Sequence, residues 1–152
     1  MSDILRACLI GVAATSAMTF GLFLLHWKGF ATGDMVRALG SAVTGRYENS
    51  LGLGMIIHFT FGILFAIMYI SVWSRLPDIA NAAVWQYLGL GVFCGFALGL
   101  VVSMVLMVII AEYHPLQRFR ASGFGVALVH VFGHMIYGGT VGLLAGIFRI
   151  SL

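Results

Sequence analysis

Two apolar stretches of the chain contain a histidine motif with the same spacing, H-x-x-[FY]-G. Its residues are His58, Phe61 and Gly62 in the first stretch and His134, Tyr137 and Gly138 in the second. An imidazole inside a membrane costs free energy unless it has a partner, so ionisable side chains at membrane depth are candidates for function. The motifs lie 76 residues apart in a chain of 152, one in each half, and therefore indicate a paired site.

Imidazole rings support three kinds of role at such a site. His58 and either His130 or His134 could ligate the iron of haem b, or all three rings could hold a copper or zinc ion. The rings could instead be structural, each donating a hydrogen bond to a neighbouring helix. A third alternative is a proton or substrate pathway in which the histidines titrate. The sequence leaves open whether haem b, a metal ion or no cofactor is bound.

The depth of these side chains follows from counting residues inward from the nearest charge. His58 lies ten residues after Glu48, and His130 lies ten residues after Arg120. At 1.5 Å per residue, both rings lie about 15 Å from the same rim of the bundle. Similar counts predict one layer of supporting and ligating residues, namely Thr19, His58, Ser103, Met104 and His130.

Depth and motif disagree about which histidine faces His58. Depth pairs His58 with His130, whereas the repeated motif pairs it with His134. His134 lies one turn beyond His130 on the same helical face, which Tyr137 continues. We therefore expect both rings to point into the bundle, and the sequence does not decide between them.

Glycines are placed where they could make room for a flat cofactor. Gly54 and Gly62 lie four residues before and after His58, on its own helical face, and could accommodate a porphyrin edge. Two further series recur at every fourth residue, namely Gly91, Gly95 and Gly99, and Gly138, Gly142 and Gly146. Small residues on one face allow helices to approach closely in lipid, so these series predict helix packing or docking faces.

The composition requires a membrane environment. The chain is 61% hydrophobic and 9% charged, with a mean hydropathy of +1.06, whereas a soluble domain carries about 25% charged residues. Four apolar runs, at about 4–27, 51–73, 82–111 and 123–148, are long enough to span a bilayer. We predict an all-α integral membrane four-helix bundle, with residues 1–152 forming a single transmembrane domain.

The first connection contains a predicted interfacial helix at about 34–44. Met35, Leu39 and Val43 recur at every fourth residue, and Thr32 or Asp34 could cap the helix start. Such a helix could lie on the membrane surface or pack across the mouth of the bundle. His26 and His114, at the ends of apolar runs, are interpreted as interfacial side chains.

Basic residues predict the orientation. Five lie in the first and third connections, namely Lys28, Arg37, Arg46, Arg118 and Arg120, against three on the opposite side, namely Arg6, Arg75 and Arg149. The positive-inside rule then favours cytoplasmic first and third connections, with both termini together on the other side. The absence of a basic cluster with interleaved aromatic residues argues against nucleic-acid binding. Cys8 and Cys94 are isolated in apolar runs and indicate buried packing.

Short motifs resemble a group of small four-span bacterial membrane proteins that has no assigned activity to transfer. They are G-x-x-A-T-x-x-M-T from Gly11 to Thr19, His58 with Gly62, and G-H-x-x-Y-G from Gly133 to Gly138. The resemblance implies four spans and a bacterial inner membrane. The amphipathic first connection departs from that group.

These observations predict a small, non-catalytic membrane subunit. No Asp or Glu lies inside a span, and neither G-x-S-x-G nor H-E-x-x-H occurs. The histidine site would bind haem b or a metal ion and support a larger respiratory or redox assembly. The alternatives are a cofactor-free structural or assembly subunit, and a small transporter or proton pathway. Expected partners are the bilayer and other membrane subunits or a second copy, docking through the glycine faces.

Overall fold

The computed structural model describes residues 2–29, 34–80, 82–121 and 123–152. The regular structure of these residues is helical throughout. The helices are α1 (Asp3–Trp27), α2 (Met35–Thr44), α3 (Ser50–Trp73), α4 (Pro77–Ala80), α5 (Val84–Tyr113), α6 (Gln117–Arg120) and α7 (Phe124–Phe148). The sequence did not predict the short helices α4 and α6.

Four of the described helices, α1, α3, α5 and α7, are long and apolar enough to cross a membrane. Each begins and ends within two residues of the apolar run that predicted it. The predicted fold class, an all-α membrane bundle, is confirmed, and the chain is an integral membrane protein.

Helix α7 lies at the centre of the bundle. Helix α5 packs along one side of α7, and α1 packs between α7 and α3. Packed neighbours run antiparallel, since Gly91 of α5 approaches Gly138 while Gly99 approaches Val131. Helices α3 and α5 thus form the two outer sides of the bundle.

The glycine series on α5 and α7 are used within the chain. A Cβ on Gly91 would overlap the Gly138 carbonyl oxygen, and a Cβ on Gly142 would overlap the carbonyl oxygen of Tyr87. The sequence predicted either close helix packing or docking for these glycine series. The structure shows close helix packing. The expectation that the same faces dock partners is wrong, because both faces are already buried against each other.

Helices α3 and α5 meet at the end of the bundle opposite α2. The Tyr69 hydroxyl donates to the Cys94 carbonyl oxygen at 2.9 Å, and the rings of Trp73 and Tyr87 meet edge to face at 6.4 Å between centroids. Towards α2 these two spans are not in close contact. A space therefore opens between them.

Helix α2 packs across one end of the bundle. The Asp34 carboxylate accepts a hydrogen bond from the Arg37 backbone N–H at 3.2 Å and caps the helix start; Thr32 lies outside the described residues. Gly40 packs against the backbone of α3 at Ser50, so only a residue without a side chain fits there. Of the predicted apolar stripe, Val43 is instead 68% exposed.

Candidate functional site

The three histidines that the sequence selected line one cavity. It has a volume of about 300 Å³, and all four spans and α2 contribute to its wall. His58 comes from α3, and His130 and His134 come from α7, so rings from the second and fourth spans face a common space. The wall is mainly apolar, with Val102 and Leu106 of α5 opposite the histidines.

His58 is held by a residue on α1. Its Nε2 lies 3.2 Å from the Thr19 hydroxyl oxygen, and that hydroxyl donates its own proton to the Thr15 carbonyl at 2.7 Å. Because the hydroxyl proton is already used, the His58 Nε2–H must donate to Thr19. The lone pair of His58 is therefore on Nδ1. The structure brings together Thr19 and His58, two members of the predicted layer.

His134 is held by its own helix. Its Nδ1 lies 3.0 Å from the carbonyl oxygen of His130, and a carbonyl oxygen can only accept. The proton of His134 is therefore on Nδ1, and its Nε2 carries the lone pair. This bond fixes the ring orientation from the backbone one turn earlier.

His130 and Ser103 lie side by side beneath α2. Both are buried, at 5% and 3% exposure, and both line a chamber of about 20 Å³, which is room for a single water-sized group. His130 and Leu106 also line the larger cavity, so they separate the two spaces. In the described part of the chain, Ser103 Oγ is the buried side-chain polar atom that has no hydrogen-bond partner.

The cavity opens sideways into the bilayer. Phe61 of α3 is 54% exposed, and Val101 and Val105 of α5 are 61% and 50% exposed, yet all three line the cavity. They flank a mouth between the two outer spans. Leu39 of α2 contributes at the end nearest the rim. The mouth therefore lies between the apolar parts of two spans.

Two predicted supporting residues lie elsewhere. Met104 is 67% exposed, on the outer surface of α5, because depth fixes how far along a helix a residue lies but not which way it points. Gly54 packs beneath Val36 of α2, where an added Cβ would overlap the Val36 carbonyl. The space beside Gly62 is likewise filled, by the Thr15 hydroxyl. Neither glycine leaves room for a porphyrin edge.

A haem ligated by histidines from both α3 and α7 does not fit this geometry. Such a group needs the porphyrin between the two helices. The Tyr137 hydroxyl instead donates directly across that gap to the Gly62 carbonyl oxygen, at 2.5 Å, one turn from both His58 and His134. Nor does the described part of the chain contain a group of three His, Cys, Asp or Glu side chains placed to hold a metal ion.

His114 has a structural role that the sequence did not reveal. It is 3% exposed, and its Nδ1 accepts from the Leu116 backbone N–H at 3.0 Å. The proton is therefore on Nε2, which donates to the Ala38 carbonyl of α2 at 3.0 Å. The sequence placed His114 at the end of a span but did not predict that it is buried. The contact joins two connections that are distant in sequence, so helical periodicity carries no signal for it.

No protein-family model, curated protein or solved structure matches this chain.

Proposed function

We propose that the protein is a small, non-catalytic membrane subunit that binds an apolar, lipid-dissolved small molecule in the cavity between α3 and α5. One observation carries the proposal: a cavity of about 300 Å³ opens to the bilayer, and three histidines line its wall. Ligand sites in proteins are typically apolar clefts of about 300–1,000 Å³ with a few polar groups that orient the ligand.

The position of the cavity mouth restricts the kind of ligand that can enter. Because Phe61 and Val101 flank a mouth at membrane depth, a water-soluble metabolite would have to cross lipid to enter. A molecule already dissolved in the bilayer pays no such desolvation cost. Its apolar body would contact Val102 and Leu106, and its polar end would meet the imidazoles.

A second candidate ligand is haem b, bound through the single imidazole of His134. Ligating histidines commonly donate their other ring N–H to a backbone carbonyl, as His134 Nδ1 does to His130. The lone pair on Nε2 would then be available to iron. The visible spectrum of protein purified with its native lipids tests this candidate: a Soret band lost in His134→Ala supports it, and a colourless sample removes it.

The proposal extends to location and partners. We propose a bacterial inner membrane, with both termini on one side, and association with other membrane subunits or a second copy. The four apolar spans and the small extramembrane mass support a subunit role. Exposed apolar side chains on every span, including Phe23, Phe93 and Phe132, suit lipid or a neighbouring transmembrane helix equally.

Native mass spectrometry of the full chain, released from detergent, tests the main proposal. We expect a bound molecule of a few hundred daltons that organic solvent extracts. Val102→Trp should remove it, because indole would fill the cavity. The matched control is Val108→Trp, which makes the same change at a 61% exposed position of α5 outside the cavity wall. A wild-type spectrum without an adduct, or equal occupancy in both variants, contradicts the proposal.

A further inference from the structure

Two hydroxyl groups on the cavity wall already donate their protons to backbone carbonyl oxygens. Thr15 donates to the Gly11 carbonyl at 2.7 Å, and Tyr137 donates to the Gly62 carbonyl. Both residues line the cavity. Neither can donate to a ligand unless it gives up the hydrogen bond that it already makes.

The imidazoles with assigned protons present acceptors instead. His134 uses its Nδ1 proton on the His130 carbonyl, and His58 uses its Nε2 proton on Thr19. Lone pairs therefore remain on His134 Nε2 and His58 Nδ1. In the part of the chain that the structure describes, no side chain or backbone N–H donates to either nitrogen.

His130 and Ser103 complete the arrangement. The His130 ring lies 5.9 Å from the His134 ring, centroid to centroid, close enough for one oxygen atom to reach both. Ser103 Oγ, on the far side of His130, is the buried and unpartnered hydroxyl. Because a neutral imidazole can carry its proton on either nitrogen, His130 can serve as a donor to a ligand in the cavity that it lines.

We infer that the ligand of this cavity bears a hydroxyl group, as in a long-chain alcohol or a phenol. The inference rests on the proposed function and specifies its ligand. A hydroxyl donates its proton to His134 Nε2, and its oxygen accepts from His130. An ether or a ketone of the same length has no proton for the lone pair on His134 and leaves that nitrogen unpaired in an apolar environment. The cavity wall thus favours ligands that donate a hydrogen bond over ligands that only accept one.

Three probes of similar length test the inference: dodecanol, its isomer methyl undecyl ether, and dodecane. Each is titrated into the full chain in detergent, and thermal unfolding is followed by tryptophan fluorescence, because a ligand that binds the native state raises Tm. We expect dodecanol to bind about fivefold more tightly than the ether, the difference expected for one hydrogen bond. Dodecane should bind no better than the ether.

Two variants test whether His134 causes the preference for the alcohol. In His134→Gln the side-chain amide can turn its NH₂ towards an ether oxygen, so the preference for the alcohol should disappear. A merely structural role of His134 would lower Tm without changing the ratio of the two affinities. His26→Gln, at an exposed position outside the cavity wall, should keep the wild-type ratio.

The wild-type ratio decides the inference even if His134→Gln does not fold. Equal binding of alcohol and ether by the wild type, abolished for both by Val102→Trp, would overturn the hydroxyl preference and leave the cavity as a lipid site. Failure of every probe to raise Tm, or full binding by Val102→Trp, would overturn the cavity proposal itself. A fivefold preference that His134→Gln retains would assign the selection to another residue and contradict the role given to His134.

Discussion

The two H-x-x-[FY]-G motifs have the same letters and different surroundings. In α7 every member of the motif is buried: His134 bonds its own helix, Tyr137 bonds α3, and Gly138 packs against the backbone of α5. In α3 the equivalent aromatic, Phe61, is 54% exposed at the cavity mouth. His58 is only partly buried and bonds α1.

The difference follows from where each helix lies. Within their apolar stretches, 56% of the residues of α7 are buried, against 17% of those of α3. Helix α7 packs against α5 and α1, whereas α3 is an outer span. A repeated motif therefore does not mark a repeated environment. The copy in α7 packs inside the bundle, and the copy in α3 forms one side of the cavity mouth.

The sharpest test of this asymmetry substitutes the motif glycines. In Gly138→Ala the new Cβ would overlap the Gly91 carbonyl oxygen and approach the Gly95 backbone, neither of which can rotate away. We expect a loss of about 3 kcal/mol in the free energy of unfolding, the upper end of the range for overpacking. In Gly62→Ala the obstructing atom is the Thr15 hydroxyl, a side-chain group that can turn, so we expect about 1 kcal/mol.

Denaturation by sodium dodecyl sulfate in mixed micelles measures both losses. The control is Gly89→Ala on α5, where an added Cβ meets nothing within 4 Å. Alanine there should be neutral or slightly stabilising, because it favours the helix. Equal losses for Gly138→Ala and Gly62→Ala would show that the two glycines are equivalent after all.

The sequence predicted the spans well and their faces poorly, for one physical reason. Apolar runs bounded by charges and aromatic residues locate the ends of a membrane helix, so all four spans were found to within two residues. In a membrane, however, lipid and protein interior are equally apolar, so hydrophobicity does not reveal which face is buried. Met104 was assigned to the histidine layer by depth alone, yet it points outwards.

The polar residues, unlike the apolar ones, indicated which helix faces lie inside the bundle. Thr19, His58, Ser103 and His130 were selected because polar groups at membrane depth need partners, and the structure buries or pairs each of them. What the sequence could not provide is the backbone carbonyl groups that Tyr137 and His114 bind. The bond from Tyr137 to Gly62 joins residues 75 apart, and the contact between His114 and α2 joins two connections.

An exchange of the two motif aromatics tests the same asymmetry with a smaller expected effect. Tyr137→Phe removes the hydroxyl that donates to Gly62 and should cost about 1 kcal/mol of unfolding free energy. Phe61→Tyr adds a hydroxyl at the exposed mouth and should change stability by less than about 0.5 kcal/mol. A destabilisation of Phe61→Tyr as large as that of Tyr137→Phe would contradict the distinction between a buried and an entrance copy.

The smallest expected effect concerns how His58 is held. Thr19→Val removes the hydroxyl that accepts from His58 Nε2 and keeps the shape of the side chain. Hydrogen bonds between membrane helices average about 0.6 kcal/mol, and we expect a loss of that size. Thr140→Val is the matched control, because the Thr140 hydroxyl donates only to the Ile136 carbonyl of its own helix.

The same pair of variants has a consequence for the ligand that stability alone does not reveal. Without Thr19, the His58 ring is no longer fixed with its proton on Nε2, so the wall gains an imidazole donor that can serve an ether oxygen. Thr19→Val should therefore weaken the preference for dodecanol over methyl undecyl ether, whereas Thr140→Val should leave that ratio unchanged. If Thr19→Val lowers stability without altering the ratio, His58 is a packing residue of the outer span, and selection of the ligand lies with α7 alone.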